Sequence, residues 1–330
     1  MTVKQSSELL DQRELLDAAR EVIQQSKARK TADAYQSDLA DFRAWAEKRG
    51  ADYLPATPEA VTLYITHLAK IGSKVSTIQR RLVAISQAHK AGGYESPTHA
   101  QVVRSTMQGI RCAHGIAKEG RAPILTEHIQ AWVNDVLAKV PRWQNIIPVR
   151  NKAIVLLGFA GAFRRSELVG LNREDIELVP QGVIVTLRCS KTAQEGEGRK
   201  LGIPFGQIGP DGQPSPTCPV AALIDWLEAG DIESGPLFRR IRRGERVTSD
   251  RLDCKTVYII VKELAESIAL DPEKYGAHSL RAGHATQATL NGALETDAMR
   301  QTRHKSAAVF HGYVRNLSLF QNNSAARLGL

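Results

Sequence analysis

The chain has 330 residues, enough for about two domains at ~150 residues each, and 44 Lys and Arg against 35 Asp and Glu leave it at +9. With 42% hydrophobic and 24% charged residues it can bury real cores, which excludes wholesale disorder. The longest apolar run, Ala153 to Phe163, has 11 residues, short of the ~20 that span a bilayer, and no apolar leader stands in residues 1–14, so a cytoplasmic protein without membrane contact is expected.

The first ~115 residues read as helices. Tyr35, Leu39, Phe42 and Trp45 recur at helical spacing, with Asp38 and Asp41 on other faces, so an amphipathic helix is predicted from near Thr31 to near Gly50. Thr57-Pro58 places an N-cap and a proline ahead of Val61, Leu63, Tyr64 and Leu68. A third helix from about Ser76 carries the stripe Ile78, Leu82, Ile85, His89 and ends at Gly92-Gly93. A fourth is expected from Ser96-Pro97 through Met107 toward Cys112. Polar residues around Lys118 to Arg121 read as a linker, giving expected domains at 1–117 and 126–330 with 118–125 between them.

In the second domain, helices are predicted over Glu127–Val140, Val149 to about Gly170, Pro219–Leu227 and Lys255–Leu270, and again from Gly276 with breaks at Asn291-Gly292 and Arg303–Ser306. Val183 to Leu187, a Gly/Glu-rich turn and Arg199 to Pro204 read as a β-hairpin. The residues after Tyr313 include Leu317, Leu319, Phe320 and Leu328, an apolar tail suited to docking.

Charge is unevenly placed. Residues 1–69 carry 9 basic and 11 acidic side chains, whereas 70–121 carry 9 basic against 2 acidic. A window of +7 is the footprint of a phosphate-backbone binder, with Lys74, Arg80, Arg81, Arg104 and Arg111 as candidate contacts; a solvated basic face is the plainer alternative. Cys112, Cys189, Cys218 and Cys254 form no C-x-x-C pair, and His278 and His284 lie six apart, so neither a zinc site nor a disulfide framework is expected.

Several polar residues stand out in the second domain. Arg164-Arg165-Ser166-Glu167 closes the most apolar helix, Lys191 lies where the first hairpin strand enters its loop, His278 and Arg281 share one helix face, and His304 precedes Tyr313 by nine residues. Singly, each has an ordinary reading: a cation at a helix end, a solvated lysine, satisfied histidines, a packing tyrosine.

In order, G-A-F-R-R-S-E-L at 161–168, R-C-S-K-T at 188–192, H-S-L-R at 278–281 and R-H-K-S-A-A-V-F-H-G-Y at 303–313 closely resemble the motifs of the tyrosine recombinase (phage integrase) family, in its Cre-like and Xer-like form. The Arg-to-Glu spacing selects Arg164 over Arg165. The front half is similar too, through Thr31, Tyr35, Asp38, Phe42 and Trp45. The resemblance implies a mainly α, two-domain fold: a SAM-like core-binding helical bundle, then an α-rich catalytic domain with a small β-hairpin sheet, together a C-shaped DNA clamp. One departure is Arg303, where the family usually has Gly.

The resemblance also implies a site-specific DNA recombinase without cofactor or metal. Tyr313 would be the nucleophile, forming a 3′-phosphotyrosyl link; Arg164, Arg281 and His304 would bind the phosphate; His278 would act as base, Lys191 as acid, and Glu167 would orient the clamp. The implied partners are duplex DNA in the nucleoid and a homotetramer that exchanges C-terminal tails. A type IB topoisomerase-like relaxase and a noncatalytic DNA-binding regulator are the alternatives.

Overall fold

Apolar residues at 3.6-residue spacing build the first unit of the chain. The computed structural model describes residues 29–115, 120–139, 145–188, 198–209, 212–304 and 306–314, and the chain divides into units 1–118 and 119–330. Unit one holds α1 (Arg29–Glu47), α2 (Pro58–Lys70), α3 (Val75–Ala91) and α4 (Gln101–His114). Phe42, Trp45, Tyr64, Ile65, Ile78, Ile85 and Met107 form its core, with the Phe42 and Tyr64 rings 4.8 Å apart. Thr57 caps α2 by accepting from the Ala60 N–H at 3.2 Å, with Pro58 in the first turn. His89 is buried on its stripe, its Nε2 accepting from the Ala56 N–H and its Nδ1 donating to the Ile85 carbonyl, both at 2.8 Å. The expected helix from Ser96 is instead a 3-10 turn, Pro97–His99, before α4: Ser96 bonds Ser86 and Thr98, so local side-chain bonds compete with the helix.

Asp38 departs more from expectation. Rather than lying on an outer face it is 4% exposed, because Arg80 grips both its oxygens at 2.7 and 3.0 Å. Arg81 donates to Asp41 at 2.5 Å and to the Tyr64 hydroxyl at 2.8 Å. These two arginines of the basic window are therefore charge-compensated by α1.

The second unit is laid around α6 (Ile146–Ala160), whose run Ala153–Leu157 is buried throughout. Ahead of it, α5 (Thr126–Ala131) widens into a π turn over Trp132–Val136 and tightens into a 3-10 turn over Leu137–Lys139, so the expected Glu127–Val140 helix is not uniform. The expected Val149–Gly170 helix is two helices. The N–H groups of Ala162 and Phe163 donate back to the carbonyls of Phe159 and Gly158, and Ala162 turns left-handed at φ 46°, ending α6 before α7 (Arg165–Gly170) begins.

The hairpin is present as β2 (Gly182–Leu187) and β3 (Arg199–Pro204), antiparallel, with Val183 opposite Ile203; β1 (Ile176–Val179) adds a third strand beside β2. After α8 (Pro219–Ala229), a second hairpin joins β4 (Arg239–Arg242) to β5 (Arg246–Arg251), then α9 (Cys254–Ser267). The chain closes with α10 (Ala277–Leu290), α11 (Glu295–Thr302) and α12 (Ala307–Val314). Phe310 packs with Ala285 and Ala298, holding α12 against α10 and α11. Among the described residues no helix is long and apolar enough to cross a membrane.

Candidate active site

The C-terminus of α6 is where the separated motifs meet. Its unpaired carbonyls carry the negative end of the helix dipole, which favours cations nearby. Arg281, on α10 and 1% exposed, donates through Nη1 to the Ala162 carbonyl at 2.7 Å; among the described residues its Nη2 has no partner. Arg303, 3% exposed, donates to the same carbonyl at 2.8 Å and to Gly161 at 2.9 Å.

Arg164 sits at the start of α7, not at the end of the apolar helix as the sequence suggested, because the left-handed turn has already ended α6. Its N–H donates to Glu167 Oε2 at 2.9 Å and its guanidinium to Oε1 at 2.5 Å. Arg303 reaches Oε2 at 3.0 Å, so the buried Glu167 joins two arginines. Arg165 is exposed, separating the neighbouring arginines by environment. Burial would raise the Glu167 carboxyl, but the Arg164 N–H, the Arg303 charge and the Arg164 guanidinium outweigh it and hold the group below its ordinary range. Burial, with repulsion from Arg164 and Arg303, pushes Arg281 down to about 10, which leaves it cationic at neutral pH.

His304 follows Arg303, with its ring 5.1 Å from that of Tyr313 and Nδ1 2.8 Å from the Thr302 hydroxyl. Tyr313 on α12 is half-buried, and its carbonyl accepts from Thr286 at 3.2 Å. His278 is exposed in the first turn of α10, three residues before the buried Arg281. Lys191 and the tail beyond Val314 lie outside the described residues. The fold thus brings together Arg164, Glu167, Arg281, His304 and Tyr313, leaves His278 at the surface of the same helix as Arg281, and adds Arg303. Among the described residues no three His, Cys, Asp or Glu side chains gather as a metal-binding set.

Two histidines here resist protonation. Burial first, then the Arg281 charge and its neighbours, pushes His304 down to about 4; burial likewise takes His284, bonded to the Phe159 carbonyl at 2.9 Å, down to about 4. Unfolded, each would titrate near ~6.5. Between these values the unfolded chain holds protons that the folded chain does not, so stability of the second unit falls as pH drops. Going from pH 7 to pH 5 should cost about 2 kcal/mol through the more deeply buried His284, and less through the half-buried His304, where solvent screens the charge. Denaturant unfolding of the DNA-free protein at the two pH values measures this; equal midpoints would contradict the burial of both rings.

Of the expected DNA contacts, Lys74 and Arg104 are exposed, Arg111 is half-buried and donates to Gln79, and Arg80 and Arg81 are paired with Asp38 and Asp41. A second arginine concentration, unmarked by any apolar pattern in the sequence, lies on β4, β5 and the turn between them. Arg240, Arg243 and Arg246 are exposed there, while Arg251 is built into the fold through the Val169 and Leu171 carbonyls at 2.7 and 2.9 Å. A count of charge over 239–251 would have exposed it.

Residues 20–91 match the family model of the phage integrase N-terminal SAM-like domain. An integrase/recombinase XerD homologue from Selenomonas ruminantium is 38% identical over 313 residues, covering 94% of this chain and 88% of the relative. Similar solved structures include the Tn1549 transposon integrase in complex with transposon right end DNA, at TM-score 0.60 and 13% identity over 90% of this chain and 92% of that one. XerH recombinase bound to a palindromic difH substrate, a post-cleavage complex, gives TM-score 0.59 and 14% identity over 90% of this chain and 79% of that one. The chain belongs to the tyrosine recombinase family. It is a tyrosine-type site-specific recombinase.

Proposed function

We propose that this recombinase cuts and rejoins duplex DNA through a covalent 3′-phosphotyrosyl link on Tyr313, using Arg164, Arg281 and His304 to hold the scissile phosphate. The observation that carries the reading is the imbalance of the buried cluster. Among the described residues, three guanidiniums, Arg164, Arg281 and Arg303, gather around a single carboxylate, Glu167, and Arg281 Nη2 has no partner. Buried cations in excess are costly without an anion, and guanidiniums suit phosphate oxygens because they present paired N–H donors.

In this reading Tyr313 Oη attacks phosphorus while the bond to the 5′-oxygen breaks. The phenol proton passes to His278, and the leaving 5′-oxygen takes a proton from Lys191. The two arginines meet the charge that builds on the nonbridging oxygens. His304, neutral at physiological pH, offers Nε2–H to the same phosphate when the Thr302 hydroxyl proton turns from the Ala298 carbonyl, 2.7 Å away, to Nδ1. A 5′-hydroxyl from the partner duplex then attacks the phosphotyrosine, restoring the phenol and exchanging strands. Two duplexes require four cleavages, hence a tetramer on DNA, with the apolar residues after Tyr313 docking into a neighbouring subunit. The protein would work on DNA in the cytoplasm, at the nucleoid.

Incubation with a suicide duplex, nicked beside the cleavage point so that the short fragment bearing the freed 5′-hydroxyl diffuses away, should leave a DNA-linked protein band on a denaturing gel. Wild-type protein that binds its DNA yet yields no such band would contradict the reading.

Phosphate contacts in the first unit are assigned to Lys74 and Arg104, with Arg240, Arg243 and Arg246 contributing from the second. Neutralising Lys74 and Arg104 together should weaken binding and reduce the slope of log K against log salt by roughly 0.9 for each phosphate left without its cation. Equal slopes for wild type and variant would return these residues to a solvated face.

A further inference from the structure

The family pattern usually has Gly at the residue before the final histidine, and here it is Arg303. The backbone at this place is left-handed, φ 58° and ψ 41°, closing α11 through Arg303 N–H to Arg300 at 3.3 Å and His304 N–H to Met299 at 3.1 Å. Glycine would take that conformation without penalty, whereas any other residue pays a steric cost. A third cation also repels Arg164 and Arg281. An arginine at this position therefore bears both a conformational and an electrostatic cost, and its contacts identify what offsets them.

Those contacts reach the supports of each phosphate-binding residue. Arg303 Nη1 donates to Gly161 at 2.9 Å and to Gln301 at 2.8 Å. Its Nη2 donates to Ala162 at 2.8 Å and to Glu167 Oε2 at 3.0 Å. The Ala162 carbonyl is the one that anchors Arg281, and Glu167 is the carboxylate that anchors Arg164. Phe163 lies under the guanidinium, 5.3 Å from its carbon to the ring centroid. His304 is the next residue in the chain.

We propose that Arg303 is a positioning residue for strand cleavage: its guanidinium pins Glu167 and the left-handed Ala162 turn together, so that Arg164 and Arg281 meet the scissile phosphate in register. The proposal rests on the strand-transfer reading above. Arg303 touches no reacting atom. It acts through Glu167 and the Ala162 carbonyl.

Arg303→Gly separates backbone from side chain, because it relieves the left-handed residue and deletes the guanidinium. Single-turnover cleavage of the suicide duplex at saturating DNA is compared with DNA affinity and thermal midpoint. The variant should bind DNA as wild type does and cleave roughly ten- to a hundredfold more slowly, the scale on which a small misplacement of catalytic groups acts. Arg303→Gly combined with Glu167→Gln should lose less than the product of the two single losses, since the two variants share the Arg303–Glu167 contact. Wild-type cleavage by Arg303→Gly, or losses that multiply in the double variant, would overturn the proposal. If the glycine variant proves unfolded, Arg303→Lys takes its place: it retains the charge but cannot bridge the carbonyls and Glu167, so slow cleavage at an unchanged midpoint supports the role and a wild-type rate defeats it. Failure of the wild-type protein to form any covalent species defeats the strand-transfer reading, and this proposal with it. A wild-type adduct together with an unimpaired variant defeats only the role of Arg303.

Discussion

Arg164→Ala is expected to slow strand cleavage about a hundredfold to a thousandfold, the usual loss when one preorganised donor to a developing oxyanion is removed. Arg165→Ala should leave the cleavage rate within a few-fold of wild type. The two residues are adjacent and identical, so the contrast isolates position. Arg164 is tied to Glu167 by its backbone N–H and its guanidinium, and Glu167 is fixed in turn by Arg303. Arg165 is exposed on α7. Measured as single-turnover cleavage at saturating DNA, equal losses in both variants would remove the assignment of Arg164 to the phosphate.

The second large effect concerns stability. Gly283, on α10 two residues after Arg281, lies against the segment that leads into the second unit: a Cβ there would stand 1.7 Å from the Ile124 carbonyl oxygen and 2.8 Å from its carbon. That backbone is itself held, since the Ile124 N–H donates to Ser279 at 3.0 Å. Neither side can yield without moving the helix that carries Arg281. Gly283→Ala should therefore destabilise the second unit by about 3 kcal/mol or more, as overpacking against fixed backbone does. Gly109 provides the contrast: it sits inside α4, and a Cβ added there would meet nothing within 4 Å. Gly109→Ala should stabilise by about 0.5–1 kcal/mol through helix propensity alone. Unfolding midpoints of the two variants check both signs; a Gly283→Ala protein as stable as wild type would refute the close approach.

Much of this was legible from local pattern. Helical periodicity located the helices of the first unit because their buried stripes are long and uninterrupted, and Thr57-Pro58 announced α2 through cap chemistry that needs only neighbouring residues. The hairpin of β2 and β3 was marked by the β-branched run Val183, Ile184, Val185 and Thr186 in its first strand. Legibility failed where long-range partners decide. Asp38 looks like a surface acid on its own helix, and only Arg80, 42 residues later, makes its burial tolerable. The hairpin of β4 and β5 has arginines where apolar alternation would mark a strand. The break at Ala162 hides inside an apolar run, because nothing local reveals that Arg281 and Arg303 will cap its carbonyls. In the site itself, Arg164, Glu167, Arg281, His304 and Tyr313 were identified by their order along the chain. Arg303 registered only as a departure from a family pattern, since its partners are some 140 residues away.

Direct mapping of the trapped DNA adduct tests whether this cluster serves a covalent step on Tyr313. Trypsin cleaving after Lys305 and Arg315 releases Ser-Ala-Ala-Val-Phe-His-Gly-Tyr-Val-Arg, with Tyr313 as its single tyrosine. After nuclease trimming, mass spectrometry should find the residual nucleotide phosphate on that peptide, and Tyr313→Phe should give no adduct under the same conditions. A nucleotide on a peptide carrying Tyr258 or Tyr275, or an adduct that persists in Tyr313→Phe, would contradict that role of Tyr313.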